Sequence, residues 1–139
     1  PNDYALTDYL WDRKTTALKD LRDPRGFPIA QWDVSQVNIF TQCFQDRTDM
    51  QTIDLSQWQV ANTHRKAIQL TQMFKGSNIN QDITSWPIWS NNDNHHYFDE
   101  MFKNATSFNQ DMSSIDLAFH NTTDMFTGSE MEDGNKPSM

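Results

Sequence analysis

Three aspartates recur at near-equal spacing, Asp54, Asp82 and Asp111. If the segments that hold them stack, their carboxylates come close together. Paired carboxylates can run acid/base or glycosidic chemistry. With Asn80 and Asn109 nearby, the same ladder offers oxygen ligands for calcium, which takes about six to eight of them. Each Asp, however, sits in a polar, turn-forming stretch, where its carboxylate bonds its own backbone. Turn structure is the expected role, and neither a metal nor a cofactor is expected.

The other reactive groups converge no better. His95 and His96 are adjacent, and neighbours on a helix point about 100° apart, which suits a surface loop better than shared metal ligation. His64 and His120 are isolated in the sequence. Serines and threonines are plentiful, but none lies in a nucleophile elbow or triad spacing. Four glycines form no phosphate-binding loop. Cys43 is the single cysteine, so no internal disulfide framework exists. Asn104-Ala-Thr106 and Asn121-Thr-Thr123 are glycosylation sequons for an exported eukaryotic chain. Trp11, Trp89 and Tyr97 either pack within irregular segments or, if exposed, stack on a sugar or anchor a protein contact. No catalytic residue is assigned, and the chain is not expected to be an enzyme.

The elements that place these residues come from an internal repeat. Ile29-Ala-Gln-Trp32-Asp-Val34, Asp54-Leu-Ser-Gln-Trp58-Gln-Val60, Asp82-Ile-Thr-Ser-Trp86-Pro-Ile88 and Asp111-Met-Ser-Ser-Ile115-Asp-Leu117 are versions of one segment. Each is followed by an apolar pair: Cys43-Phe44, Met73-Phe74, Met101-Phe102 and Met125-Phe126. The repeat core is thus Trp32, Phe44, Trp58, Phe74, Trp86, Phe102, Ile115 and Phe126. Alternation around each Trp predicts a strand. Apolar residues at i, i+3, i+4 (Phe40, Cys43, Phe44 and their equivalents) predict a short helix. Asp46, Gly76, Asn104 and Gly128 then close it, since Gly and Asn tolerate positive φ. Cys43 takes the place of Met and is expected in the core.

One such coil cannot fold alone. Its few large anchors contribute about 1.5–3 kcal/mol each, against about 1.5 kcal/mol for ordering each residue. Coils must therefore stack, and their ends need caps. Residues 1–28 are expected to form an N-terminal capping helix that starts at Asn2 or Asp3 and runs to about Leu21. Residues 29–129 hold about four coils, and 130–139 are expected to fray.

The repeat resembles the BspA-like surface repeat family, a Mycoplasma-type family of unknown function (family 285). That family's pattern is similar to F-N-Q-D-I-S-S-W-D-V-S-N-V-T-x-M-x-x-M-F. Phe108-Asn-Gln-Asp-Met-Ser-Ser114, Trp32-Asp-Val-Ser35 and the Met-Phe pairs match it, and the likeness spans about residues 4–128. Two coils depart from it by four extra residues, near Thr63–Lys66 and Asn91–Asn94. Pro87 and Ile115 replace the family's Asp and Trp. The resemblance implies a leucine-rich-repeat-like α/β repeat solenoid on secreted or surface proteins, extracellular or at the cell surface, with a role in adhesion or protein recognition. No signal peptide is visible in the sequence.

The net charge of the 139 residues is −8. Residues 1–28 are balanced, so the excess lies in the repeat body. An acidic body repels phosphate and anionic lipid, which argues against nucleic acid and membrane surfaces as partners. No apolar run reaches the length of a membrane span. The expected function is a non-catalytic recognition or adhesion module for a protein or glycan. Its candidate binding face is Gln31, Asp33, Gln57, Gln59, Ser85 and Trp89. The alternative is a structural spacer within a longer chain, flanked by further repeats and with no ligand of its own.

Overall fold

The computed structural model describes residues 3–60 and 66–139. The α/β solenoid of strands and short helices is not formed. Among the described residues there is one α-helix, α1 (Asp3–Asp12), five short 3-10 turns and no strand. Among the described residues, parallel pairing is limited to isolated bridges, Ile39 to Gln69, Gln69 to Tyr97, Tyr97 to Asn121 and Asp116 to Ser138.

The backbone shows why the helices are absent. Gln42 and Asp46 have φ of 61° and 62°, and Gln72 and Gly76 have 58° and 70°. Glu100, Asn104, Asp124 and Gly128 repeat the pair in the next two coils. An α-helix cannot contain such residues. Instead, each segment makes turns closed by i→i+3 bonds. The Cys43 N–H donates to Phe40, Gln45 to Gln42, and Arg47 to Phe44. Positive φ at the third position is the mark of a type II turn. Turns that advance four residues at a time place apolar side chains at i, i+3, i+4, as a helix does.

The intervening N–H groups bond the next coil. Phe40, Gln42, Phe44 and Asp46 donate to the carbonyls of Gln69, Thr71, Met73 and Lys75. Leu70, Gln72, Phe74 and Gly76 donate to Tyr97, Asp99, Met101 and Lys103. Phe98, Glu100, Phe102 and Asn104 donate to Asn121, Thr123, Met125 and Thr127. Alternate amides thus serve the coil itself and its neighbour, so the buried backbone is satisfied without a sheet.

This register stacks the phenylalanines. Ring centroids of Phe44, Phe74, Phe102 and Phe126 follow one another at 5.7, 5.6 and 5.5 Å, with planes within 15°. Beside them runs a tryptophan side. Trp58 Nε1 donates to the Ile29 carbonyl at 2.7 Å, and Trp86 Nε1 to Leu55 at 2.9 Å, each one coil back. All eight repeat-core residues are buried.

No strand forms around the tryptophans, because local turns take up the amides. Ser56, Thr84 and Ser113 each donate their N–H to the aspartate two residues earlier. Trp58, Trp86 and Ile115 then donate to Leu55, Ile83 and Met112. Between the Trp58 and Trp86 segments, one backbone bond remains, from Ile88 to Val60 at 2.9 Å.

Both predicted ends also differ. Helix α1 stops at Asp12 instead of near Leu21, and Arg13 and Lys14 already make i→i+3 bonds. Thr15 and Thr16, both poor helix formers, follow. Leu18 and Leu21 are buried all the same, and the Leu18 N–H is held by Asp49 at 2.8 Å. Asn2, a proposed cap, lies outside the described residues, as do residues 63–65 of the first four-residue excess.

The tail is not frayed. Met131 is buried, and Met112, Leu117 and Ser138 exchange backbone bonds with Asn135, Ser138 and Ile115. Residues 129–139 lie against the fourth coil as part of a fifth. Met131 takes the place that Ile79 and Phe108 hold in earlier coils.

Candidate functional site

The aspartates are turn formers in place. Asp33 Oδ1 accepts from the Ser35 N–H at 3.0 Å and its hydroxyl at 2.7 Å. Asp82 and Asp111 do the same with Thr84 and Ser113. These hydroxyl bonds, then the backbone bonds, hold all three carboxyls below the usual carboxylate range. At Asp54 the Ser56 amide is the leading cause. Carboxylates stabilised in this way are poor proton donors at neutral pH.

The asparagines of the imagined calcium ladder join coils instead. Asn80 Oδ1 accepts from the Asn109 N–H at 3.0 Å and from Gln110 Nε2 at 2.8 Å. Asn109 Oδ1 accepts from Glu132 and Asn135 in the tail. Among the described residues, no group of three or more His, Cys, Asp or Glu side chains is placed to hold a metal.

Cys43 is buried beside Thr7, and burial pushes its thiol up to about 12. Such a thiol is not a ready nucleophile.

A histidine column was not legible as such. His96 is wholly buried rather than in a surface loop, whereas its neighbour His95 is exposed. His96 Nδ1 accepts the Ile68 N–H, and His120 Nδ1 accepts the His96 N–H, both at 2.9 Å. The two rings stack at 5.0 Å. The signal was position: each His lies two residues before the first turn residue of its coil, at Phe98 or Thr122. Burial first, then the nearby His120, lowers the His96 pKa to about 4. His120 is lowered as well, by burial and then His95.

The stability consequence has a definite sign. As pH falls through about 6.5, the unfolded chain takes up the proton at residue 96, and the folded chain does not until about 4. Stability is therefore full above 6.5 and falls between 6.5 and 4, by about 3 kcal/mol for His96. Urea unfolding across that range is expected to show the loss, and His96→Asn to flatten it. An unchanged midpoint between pH 6.5 and 4.5 in the parent chain would exclude the column.

The proposed binding face divides. Gln31, Asp33, Gln57, Gln59 and Ser85 are exposed. Trp89 is not; it is buried, stacked between Trp86 and Phe98, with Nε1 on the Ile83 carbonyl at 2.7 Å. Ile83 corresponds to Ile29 and Leu55, whose carbonyls receive Trp58 and Trp86. Trp89 thus supplies the indole donor that Ile115 cannot, and the 3-10 turn Pro87–Ser90 carries it there. Trp11 bonds the Gln42 carbonyl at 2.8 Å and has Lys14 Nζ over its ring.

Where Ile115 stands in place of a fourth tryptophan, the surface is indented. A groove of about 420 Å³ runs between the third and fourth coils. Trp86, Pro87, Trp89 and Ile115 line its apolar side, and Thr84, Ser85, Ser90, Asn92, Ser114 and Asp116 its polar side. Neutral hydroxyl and amide groups with one carboxylate suit a hydroxyl-rich or amide-bearing ligand.

Residues 16–137 match the model of a family described as Mycoplasma protein of unknown function, DUF285. The chain belongs to that family. The DUF285 match runs through all four coils and into the tail, and so includes the partial fifth coil. No curated protein and no solved structure matches the chain.

Proposed function

We propose that this DUF285 chain is a non-catalytic recognition module. The groove beside Ile115 receives a hydroxyl-bearing group of a glycan or, failing that, a protein. The reading is carried by the groove, whose polar lining is uncharged except for Asp116. The BspA-like resemblance supports a place outside the cell or on its surface and a role in adhesion. Ser85 belongs to the groove, while Gln57 and Gln59 lie outside its lining.

A glycan array followed by calorimetry tests the proposal. Ser114 is exposed, so Ser114→Trp fills the groove without entering the core. Binding is expected to fall at least tenfold with an unchanged melting temperature, a loss of about 1.4 kcal/mol or more. Full binding in Ser114→Trp together with loss in a Gln57→Ala, Gln59→Ala double variant would move the site to the exposed glutamines. No binding to any glycan or extracellular protein would favour a spacer. That second reading draws on the tail, which continues the stack against the fourth coil.

A further inference from the structure

The groove between the third and fourth coils is lopsided in its hydrogen-bonding capacity. Each lining hydroxyl of the third coil already donates its proton to the protein itself. Thr84 Oγ1 donates to Asp82 Oδ1 at 2.6 Å, Ser85 Oγ to the Ser56 carbonyl at 2.9 Å and Ser90 Oγ to the Pro87 carbonyl at 3.3 Å. The indole N–H groups of Trp86 and Trp89 are spent on the Leu55 and Ile83 carbonyls. A hydroxyl that donates inward keeps lone pairs for a ligand. Thr84, Ser85 and Ser90 therefore line the groove as acceptors.

Asp116 joins them from the fourth coil. Its Oδ1 accepts the Ala118 N–H at 2.9 Å, which leaves Oδ2. Among the described residues no ion pair engages it. Asn92 has the opposite role. His120 Nδ1 accepts the His96 N–H, so the proton of the neutral ring sits on Nε2 and is donated to Asn92 Oδ1 at 3.0 Å. The Asn92 amide NH₂ and the Ser114 hydroxyl are thus the donors left among the lining side chains. Around the apolar floor of Trp86, Pro87 and Ile115, acceptors lie before the Pro87–Ser90 turn, at its end and on the facing coil.

Sugar substituents meet such a lining differently. A hydroxyl both donates and accepts. An acetamido group brings one N–H and a carbonyl that must compete for the two remaining donors. An ammonium brings three donors and no acceptor, and it gains a charge-assisted bond at Asp116. A lysine side chain carries its ammonium only at the tip of an apolar stem, whereas the acceptors here are spread around the floor. A pyranose with hydroxyls and one amine places donors on several sides at once. We infer that the groove selects an unacetylated amino sugar, with its ammonium on Asp116 and its hydroxyls on Thr84, Ser85 and Ser90, a choice that rests on the glycan reading of that groove.

The test uses the whole chain and three β-1,4-linked tetramers that differ only at C2: glucosamine, N-acetylglucosamine and glucose. In calorimetry at near-neutral pH and physiological salt, the glucosamine tetramer is expected to bind about tenfold or more tighter than the other two, the difference between a charged and a neutral hydrogen bond. Asp116→Asn keeps an oxygen for the Ala118 N–H, so the melting temperature should stay unchanged. It is expected to remove the glucosamine advantage and to leave the glucose tetramer within about twofold. The chain has 19 acidic residues, so a general attraction of a polycation to the acidic body would survive that variant. Full glucosamine binding in Asp116→Asn would therefore overturn the inference. Equal or tighter binding of either other tetramer would overturn it too and leave the glycan reading intact. A lysine tetrapeptide that competes as well as the glucosamine tetramer would show that the ammonium is read without its ring. Binding of none of the three, with a blank glycan array, would remove the glycan reading and the amino-sugar choice together.

Discussion

Phe74→Ala is expected to lower stability by about 3–5 kcal/mol, the range for removing a large aromatic from a packed core. Small domains have about 5–15 kcal/mol in all, so the variant should be partly unfolded at modest urea. The reason is position. Phe74 is stacked on both faces, by Phe44 and Phe102, and also meets Trp86 at 6.3 Å. Nothing else of that size can close the gap, because each neighbour is tied to its coil by the alternating backbone bonds. Phe126 ends the column with one ring neighbour and is 7% exposed. Phe126→Ala is therefore expected to cost roughly half as much. Equal losses at 74 and 126 in denaturant titrations would mean that the rings do not form one continuous column.

The second large effect concerns Trp89. Trp89→Ala removes an indole packed between Trp86 and Phe98 and takes from the Ile83 carbonyl its indole donor, leaving it the Trp86 N–H. The expected loss is about 3–5 kcal/mol, most of it the emptied aromatic site and a smaller part the lost indole hydrogen bond. If Trp89 stands in for the missing fourth tryptophan, Ile115→Trp should restore the donor in that background. In the parent chain the same change should destabilise, since two indoles would compete for one carbonyl. The double variant is thus expected to be more stable than Trp89→Ala, with a coupling of about 1–3 kcal/mol in a double-mutant cycle. Additive losses would show that the two positions do not share a slot.

Much of this arrangement is written in side-chain types. The paired markers, tryptophan or isoleucine followed by an apolar-phenylalanine pair, locate the coils and name residues that are all buried. The backbone conformation is not written in the same way. Apolar residues at i, i+3, i+4 fit a helix and a run of four-residue turns equally well. The feature that separates them is positive φ at Gln42, Gln72, Glu100 and Asp124. None of these is glycine, so sequence carries no warning of it. At the later position of each turn run, glycine does give a signal. A Cβ at Gly76 would collide with Asp46 Oδ1, and one at Gly128 with Asn104 Oδ1.

Strand prediction failed for a related reason. Alternation around Trp58 and Trp86 reports which side chains point inward, not where the amides go, and Asp54 and Asp82 had already fixed the chain into turns. Residues 130–139 are expected to fray as a chain end, whereas Met131 repeats the Ile79 and Phe108 position and anchors the segment. The groove was the least legible feature. Ser85 was singled out as part of an exposed face, but the indentation depends on the exchange of tryptophan for Ile115 and on the route that brings Trp89 back.

The most direct measurement of the central claim is the through-hydrogen-bond scalar coupling between amide nitrogens and carbonyl carbons. Stacked turns predict couplings from Gln72 N to the Asp99 carbonyl and from Phe74 N to the Met101 carbonyl, with Met73 N coupled to Leu70. Couplings from Phe74 N to Leu70, or none between coils, would mean that residues 70–76 form a helix and that the ladder described here does not exist.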